Sequence, residues 1–169
     1  QLALMPIDTR IEPYYQETGS GVLIYGGDIT SAYSGDYTSN FLCRTTAPVM
    51  RAIFDHYGLY SKVVHTRQRI ENHLDRGRLI FIKITVDFKE WVPATWITPE
   101  GQRIPVVLGN DHAMVVMGYN DEVVVVRDVL GPTETNWNRQ YEVEVPWDLF
   151  MTCWGSQGYD GLAVGPAQS

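Results

Sequence analysis

Cysteine is almost missing: Cys43 and Cys153 are the whole complement of a 169-residue chain. Two thiols cannot make a disulfide framework, and each is open to being paired, buried or reactive. There is no Cys-x-x-Cys, and His56, His65, His73 and His112 are scattered, with no cysteines or histidines at zinc-ligand spacing. No metal and no other cofactor is therefore expected. Basic runs are missing too. The chain carries 13 Lys and Arg against 20 Asp and Glu, a net charge of −7, with a pI near 5.0. A chain of that sign repels polyanions, which excludes nucleic acid and anionic membrane surfaces as expected partners. No apolar stretch approaches the ~20 residues that cross a bilayer, and no signal peptide is visible. The first residue is Gln1 rather than Met, which suggests a processed product and an extracellular or cell-surface setting. Internal repeats and low-complexity linkers are likewise absent.

What is present fits one domain spanning residues 1–169. Apolar residues make up 44 % and charged residues 20 %, enough to form a core and too little charge for global disorder. Residues 1–42 are the least regular. "GSGVLIYGGDITSAYSGDYTSN" holds one short apolar run, Val22 to Tyr25, and otherwise reads as loop. Residues 43–77 read as the helical part. "APVMRAIFDHYG" has Thr46 to cap it, Pro48 in its first turn and Gly58 to end it. A short strand, "SKVVH", leads to a second helix, with Thr66 as N-cap, Ile70 and Leu74 facing inward and Gly77 at the C′ position.

Residues 78–165 change to strand. "RLIFIKITVDF" is a long β-branched run that reads as a central strand. "VPATWITPEGQRIPVVLGN" has three prolines and a Pro-Glu-Gly turn, and is expected to be a surface excursion. It puts Trp91 and Trp96 in loop, as "GPTETNWNRQ" does Trp137. "HAMVVMGYN" and "EVVVVRDV" form a hairpin about Asn120-Asp121. A helix opening at Pro146 and a last strand, "GLAVG", complete the chain. Helices first and an antiparallel sheet after them make an α+β fold.

The stretch with most chemical content is "GNDHAMVVMGYNDEVVVVRDVLG", residues 109–131. His112 opens one strand of the hairpin and Asp128 closes the next, 16 residues later. The start of one antiparallel strand lies beside the end of its partner, so the two side chains meet if the register permits. A carboxylate beside an imidazole fixes its tautomer and stabilises the imidazolium, the supporting role in nucleophile–His–acid catalysis. The same two residues also suit an ordinary loop. Asn110 and Asp111 read as turn residues, or as groups that shape a pocket or hold a cation.

These residues resemble a known family. His, three apolar positions, Gly-Tyr, a turn, an apolar strand, then Asp with Gly soon after is similar to the second half of the bacteriocin-processing-peptidase-like cysteine peptidases, also called double-glycine-leader peptidase-like. The upstream run "FDHYGLYSKVVHTRQRIENHLDRGRLIFIKI" and the closing helix and strand resemble it as well, over about residues 45 to 165. The resemblance implies a papain-like fold, a peptide or protein substrate or partner, His112 as general base and Asp128 as its orienting acid. It also implies a cysteine nucleophile at a helix N-terminus in a Cys-Gly-Pro-like context, with a Gln a few residues ahead.

Here the chain departs from the family. Cys43 precedes a helix and adjoins Arg44, both of which favour a thiolate, but no Gly-Pro follows it. "PYYQ" resembles the lead-in to the family's Gln and would make Gln16 the oxyanion donor, yet the nucleophile would then fall near Val22, where there is no Cys. Alternatively "APVMRAIFDHYGL" matches the family's second helix, and the Cys-bearing helix lies outside this chain. Cys153, flanked by Trp147, Phe150, Met151 and Trp154 at helical spacing, reads as a core residue. Two functions stay open: a thiol hydrolase of a peptide or amide bond using Cys43, His112 and Asp128, and an inactive papain-like domain serving as a binding or structural subunit of a larger assembly. Transglutaminase-like acyl transfer would use the same three side chains.

Overall fold

The structure is a computed structural model that describes residues 2–89, 91–132 and 137–167. In chain order its strands are β1 (Ile7–Asp8), β2 (Tyr14–Thr18), β3 (Gly21–Tyr25), β4 (Tyr33–Ser34), β5 (Leu59–Val64), β6 (Leu79–Thr85), β7 (Pro93–Ile97), β8 (Arg103–Val107), β9 (Asp111–Tyr119), β10 (Val123–Arg127), β11 (Glu142–Pro146) and β12 (Gly161–Pro166). The α-helices are α1 (Arg51–His56), α2 (Arg67–Leu74) and α3 (Trp147–Gly155). None of them is long and apolar enough to cross a membrane.

The main layer is a six-stranded sheet in the order β11-β10-β9-β6-β12-β5, and each neighbouring pair in it is antiparallel. Alternation explains its core. Ile80, Ile82 and Ile84 on β6 share a face with Met114 and Val116 on β9, and all five are buried. Onto that face pack Ile70 of α2 and Phe150, Cys153 and Trp154 of α3. The Trp154 indole N–H reaches the Asp160 carbonyl at 2.9 Å, so its one polar atom is satisfied inside the core. The α+β, papain-like arrangement expected from the sequence is the one observed.

The helices follow their end signals. Thr66 Oγ1 accepts the Arg69 N–H at 3.3 Å, and Gly77 takes φ 71° just beyond α2, a conformation costly for a side-chain-bearing residue. The first helix is shorter than its apolar stripe suggests. Ala47–Met50 is a 3-10 turn and only Arg51–His56 is α-helical. Thr46 does not cap it with its side chain; its hydroxyl donates to the Ile29 carbonyl instead, at 2.8 Å.

The first 42 residues are more ordered than their composition suggests. β2 and β3 pair antiparallel, and β3 then pairs in parallel with β7, which pairs antiparallel with β8. The run expected to be a surface excursion is thus half of a second, four-stranded sheet. Trp96, expected in loop, is fully buried at the centre of this sheet's core with Ile24, Ile29, Leu42 and Val106. Its indole N–H donates to the Gly27 carbonyl at 2.9 Å. Gly26 is required there, because a Cβ would lie 2.0 Å from the Trp96 ring. Trp91 packs on the main core, and Trp137 is 73 % exposed.

Candidate functional site

His112 and Asp128 meet because of one extra residue. Near the turn, β10 pairs with β9 as Val124↔Tyr119 and Val125↔Gly118, but after the irregularity as Val126↔Val116 and Arg127↔Val115. Met117 is left without a partner, which is a β-bulge. Continuing the shifted register sets Asp128 beside Met114, on the face that also holds His112. Without the bulge Asp128 would stand opposite Val115 and point to the other side of the sheet. With it, His112 Nε2 lies 2.8 Å from Asp128 Oδ1. Both groups are largely withdrawn from water, with side chains 15 % and 3 % exposed.

The carboxylate is held from every side. Arg139 Nη2 donates to Asp128 Oδ2 at 2.6 Å, and the Leu130 N–H donates to Oδ1 at 2.8 Å. Burial pushes the Asp128 carboxyl up, but the hydrogen bonds from Arg139, His112 and Leu130 outweigh it and hold it below the usual carboxylate range. Arg139 also donates through Nη1 to Asp87 at 2.9 Å. Asp87 and Phe88 both adopt left-handed backbone, φ 54° and 53°, as does Asn110 at φ 64°, two residues before His112. Non-glycine residues rarely sit there, and such strain gathers where a surrounding network over-determines the chain. A cavity of about 180 Å³ opens beside this network, lined by Phe88, Met114, Val126 and Val143 together with Asp128 and Arg139.

Asp111 adjoins His112 on β9 and so projects to the opposite face. Its expected role of holding a cation falls to a side chain. Lys83 Nζ lies 2.9 Å away, Gln157 Nε2 donates at 2.5 Å, and Arg44 Nε approaches to 4.0 Å. Burial pushes the Asp111 carboxyl up, but Lys83 and Arg44 hold it low. Asp160, nearby, accepts the Ala47 N–H at 2.8 Å. Burial still raises its carboxyl to about 6, with Asp111 adding to the rise.

Cys43 lies one residue before Arg44, whose Nε approaches Asp111 to 4.0 Å. The chain crosses there as an isolated bridge between Ser34 and Arg44. Arg44 turns inward, 3 % exposed, with Nη1 on the Val107 carbonyl at 2.8 Å and its guanidinium 5.5 Å from the Trp96 ring centre. Cys43 is half-buried and packed on Gly35, where a Cβ would come within 2.9 Å of its own. Its polar neighbour is the Tyr33 hydroxyl, whose ionisation is opposed by burial first and by the Cys43 thiol second. Among the described residues no hydrogen bond joins Cys43 to His112, and the only side-chain partner of His112 is Asp128. Gln16 lies exposed on β2, opposite Leu23 at the outer edge of the small sheet, and makes no hydrogen bond to Cys43, His112 or Asp128. Cys153 is buried in α3, and burial raises its thiol.

Two members of the site escaped sequence reading. Arg139 sits in a polar loop with no periodic signal, and Gln157 follows a helix whose pattern ends before it. A lone Arg amid Asn and Thr, close after Asp128, was the one available hint for the first.

No protein-family model and no curated protein matches the chain. Among solved structures it is similar to a Bacillus anthracis protein described as a C39-like peptidase, with a TM-score of 0.66 and 16 % identity over 99 % of this chain and 79 % of that one. Sheet order, flanking helices and this likeness together give the chain the fold of a C39-like, papain-like peptidase.

Proposed function

We propose that this peptidase-like domain retains the His–Asp pair without a working thiol, and serves as a binding or structural subunit of a larger, extracellular assembly. The supporting observation is that, among the described residues, His112 is hydrogen-bonded to Asp128 and not to Cys43. Cys43 packs on Gly35 beside Tyr33, while His112 and Asp128 close on each other at 2.8 Å and Arg139 closes on Asp128. The pair then acts as an electrostatic clamp that fixes β9, β10 and the segment bearing Arg139. The adjoining cavity of about 180 Å³, apolar apart from Asp128, Arg139 and their neighbours, suits one small apolar side chain of a peptide or protein partner. Assaying the intact chain against mixed fluorogenic peptides, beside Cys43→Ala, tests this: both should show the same background, and turnover that disappears in Cys43→Ala would overturn it.

A second reading is favoured by the tautomer of the pair. With Nε2 on Asp128, His112 leaves Nδ1 for a nucleophile. In that reading Cys43 attacks the carbonyl carbon of a peptide or amide, His112 takes the thiol proton and returns it to the leaving amine, and Asp128 holds the imidazolium. A backbone N–H would bind the oxyanion, Gln16 lying on the exposed edge strand β2. It requires the Cys43 thiol to come within hydrogen-bond reach of His112 Nδ1 in the substrate complex. Trapping a covalent acyl-enzyme on Cys43 by mass spectrometry would establish it.

A further inference from the structure

The acidic net charge conceals a local reversal of sign. β5 ends the six-stranded sheet, paired with β12 on its inner side, and among the described residues no backbone hydrogen bond reaches its outer edge. A groove of about 530 Å³ follows that edge. Four consecutive residues, Tyr60 to Val63, line it. Successive strand residues point to opposite faces, so a pocket on one face would be lined by every second residue. Contiguous lining places the groove along the edge itself, where the strand's free N–H and C=O groups lie.

The walls are cationic. Arg51 enters from α1 and Arg69 from α2, and Lys62 stands on β5 between them. All three are exposed, and none forms an ion pair among the described residues. Arg10, Arg67, Lys83, Arg127 and Arg139 each do. Behind the groove, burial together with Arg78, Arg76, Lys62 and Arg69 pushes the His73 imidazolium below its usual range, a sign that positive charge converges there. Ser61 Oγ, in the same wall, is buried with no hydrogen-bond partner. An open strand edge with unpaired cations on both sides is what an extended anionic chain requires.

We propose that the β5 edge docks an extended acidic peptide segment, which adds as an outer strand with its backbone paired to β5 and its carboxylates beside Arg51, Lys62 and Arg69. Tyr60, with the Arg78 guanidinium 3.9 Å from its ring centre, lines the groove beside the incoming chain. This site is independent of His112 and Asp128. A polyanion held by charge alone would not need the strand edge, and a second copy docking through its acidic β11 edge would appear as self-association.

The test uses the intact chain and a fluorescein-labelled synthetic peptide, acetyl-Thr-Glu-Val-Glu-Val-Glu-Thr-amide, followed by anisotropy. Saturable binding is expected. It should weaken about tenfold or more in each of Arg51→Glu and Arg69→Glu, whose circular dichroism should match the parent, and disappear when alternate peptide amides are N-methylated. Equal binding of the N-methylated peptide would overturn the proposal, because charge alone would then suffice. So would the absence of saturable peptide binding, or a sulfated oligosaccharide competing for the same arginines more tightly than the peptide. Self-association that Arg69→Glu abolishes and the peptide fails to block would overturn it as well.

Discussion

The two sheets of this chain are built by different rules, one from local antiparallel pairing and one around a parallel pairing. In the six-stranded sheet, His112 and Asp128 sit on strands joined by a two-residue turn region, so local sequence brings them within 2.8 Å of each other. In the four-stranded sheet, β3 finds β7 across a long stretch of chain and in parallel, while Cys43 lies outside both sheets, packed on Gly35 and beside Tyr33. The pairing of β9 with β10 therefore fixes the imidazole against the carboxylate, whereas the thiol is placed by neighbours from its own loop, Gly35 and Tyr33.

The largest effect should come from the two buried indoles. Trp154→Ala removes the centre of the main core and should cost about 3–5 kcal/mol, seen as loss of one cooperative transition in denaturant. Trp96→Ala, equally buried, should lose a similar amount within the small sheet. Hydrogen exchange should then rise over 14–44 and 93–107 while 79–85 and 111–127 stay protected. If both variants lose protection everywhere, the two sheets are one cooperative unit and the comparison fails.

Asp128→Ala should cost about 3 kcal/mol, because Arg139 is left buried with Asp87 as its one remaining carboxylate among the described residues. The sign with pH follows from the depressed carboxyl of Asp128. Its contribution is present above the unfolded carboxylate value of about 3.9 and is lost as pH falls through the lower folded value. The gap between Asp128→Ala and the parent in urea denaturation should thus narrow below pH 4. Cys43→Ala, by contrast, should cost only about 1 kcal/mol, since it removes a half-buried thiol.

Asp160, where the 3-10 turn at Ala47 meets the main sheet, tests the seam between the regions. Its carboxyl is raised to about 6, so the folded state favours the protonated form. That contribution is fully present below about pH 4 and is lost as pH rises through 6. Asp160→Asn keeps an acceptor for the Ala47 N–H and should be more stable than the parent at pH 8 by up to about 3 kcal/mol, with the advantage gone at pH 4. A pH-independent difference would mean that Asp160 is solvated.

The main sheet was legible because its signals are periodic. "RLIFIKITVDF" alternates as β6 does, and Thr66 and Gly77 mark the ends of α2. The His112–Asp128 pairing was legible as to which strands meet, but not as to face. The bulge at Met117 decides the face, and nothing in "HAMVVMGYN" marks one valine-rich residue as extra. The small sheet was illegible for a different reason: a parallel pairing between β3 and β7 leaves no local turn signal, and three prolines around β7 and β8 imitate loop. Gln16 was drawn from a resemblance in "PYYQ" and lies on an exposed edge strand. Net charge concealed the basic β5 edge, because a sum over the chain says nothing of where unpaired cations gather.

The account stands on Cys43 being chemically independent of His112. Its most direct test is the rate of iodoacetamide alkylation at Cys43, resolved from Cys153 by peptide mapping, across pH 4 to 10 in the parent and in His112→Ala. The account predicts superimposable profiles. A reactive limb at acid pH in the parent that vanishes in His112→Ala would contradict it, by showing a thiolate–imidazolium pair formed between the two halves of the site.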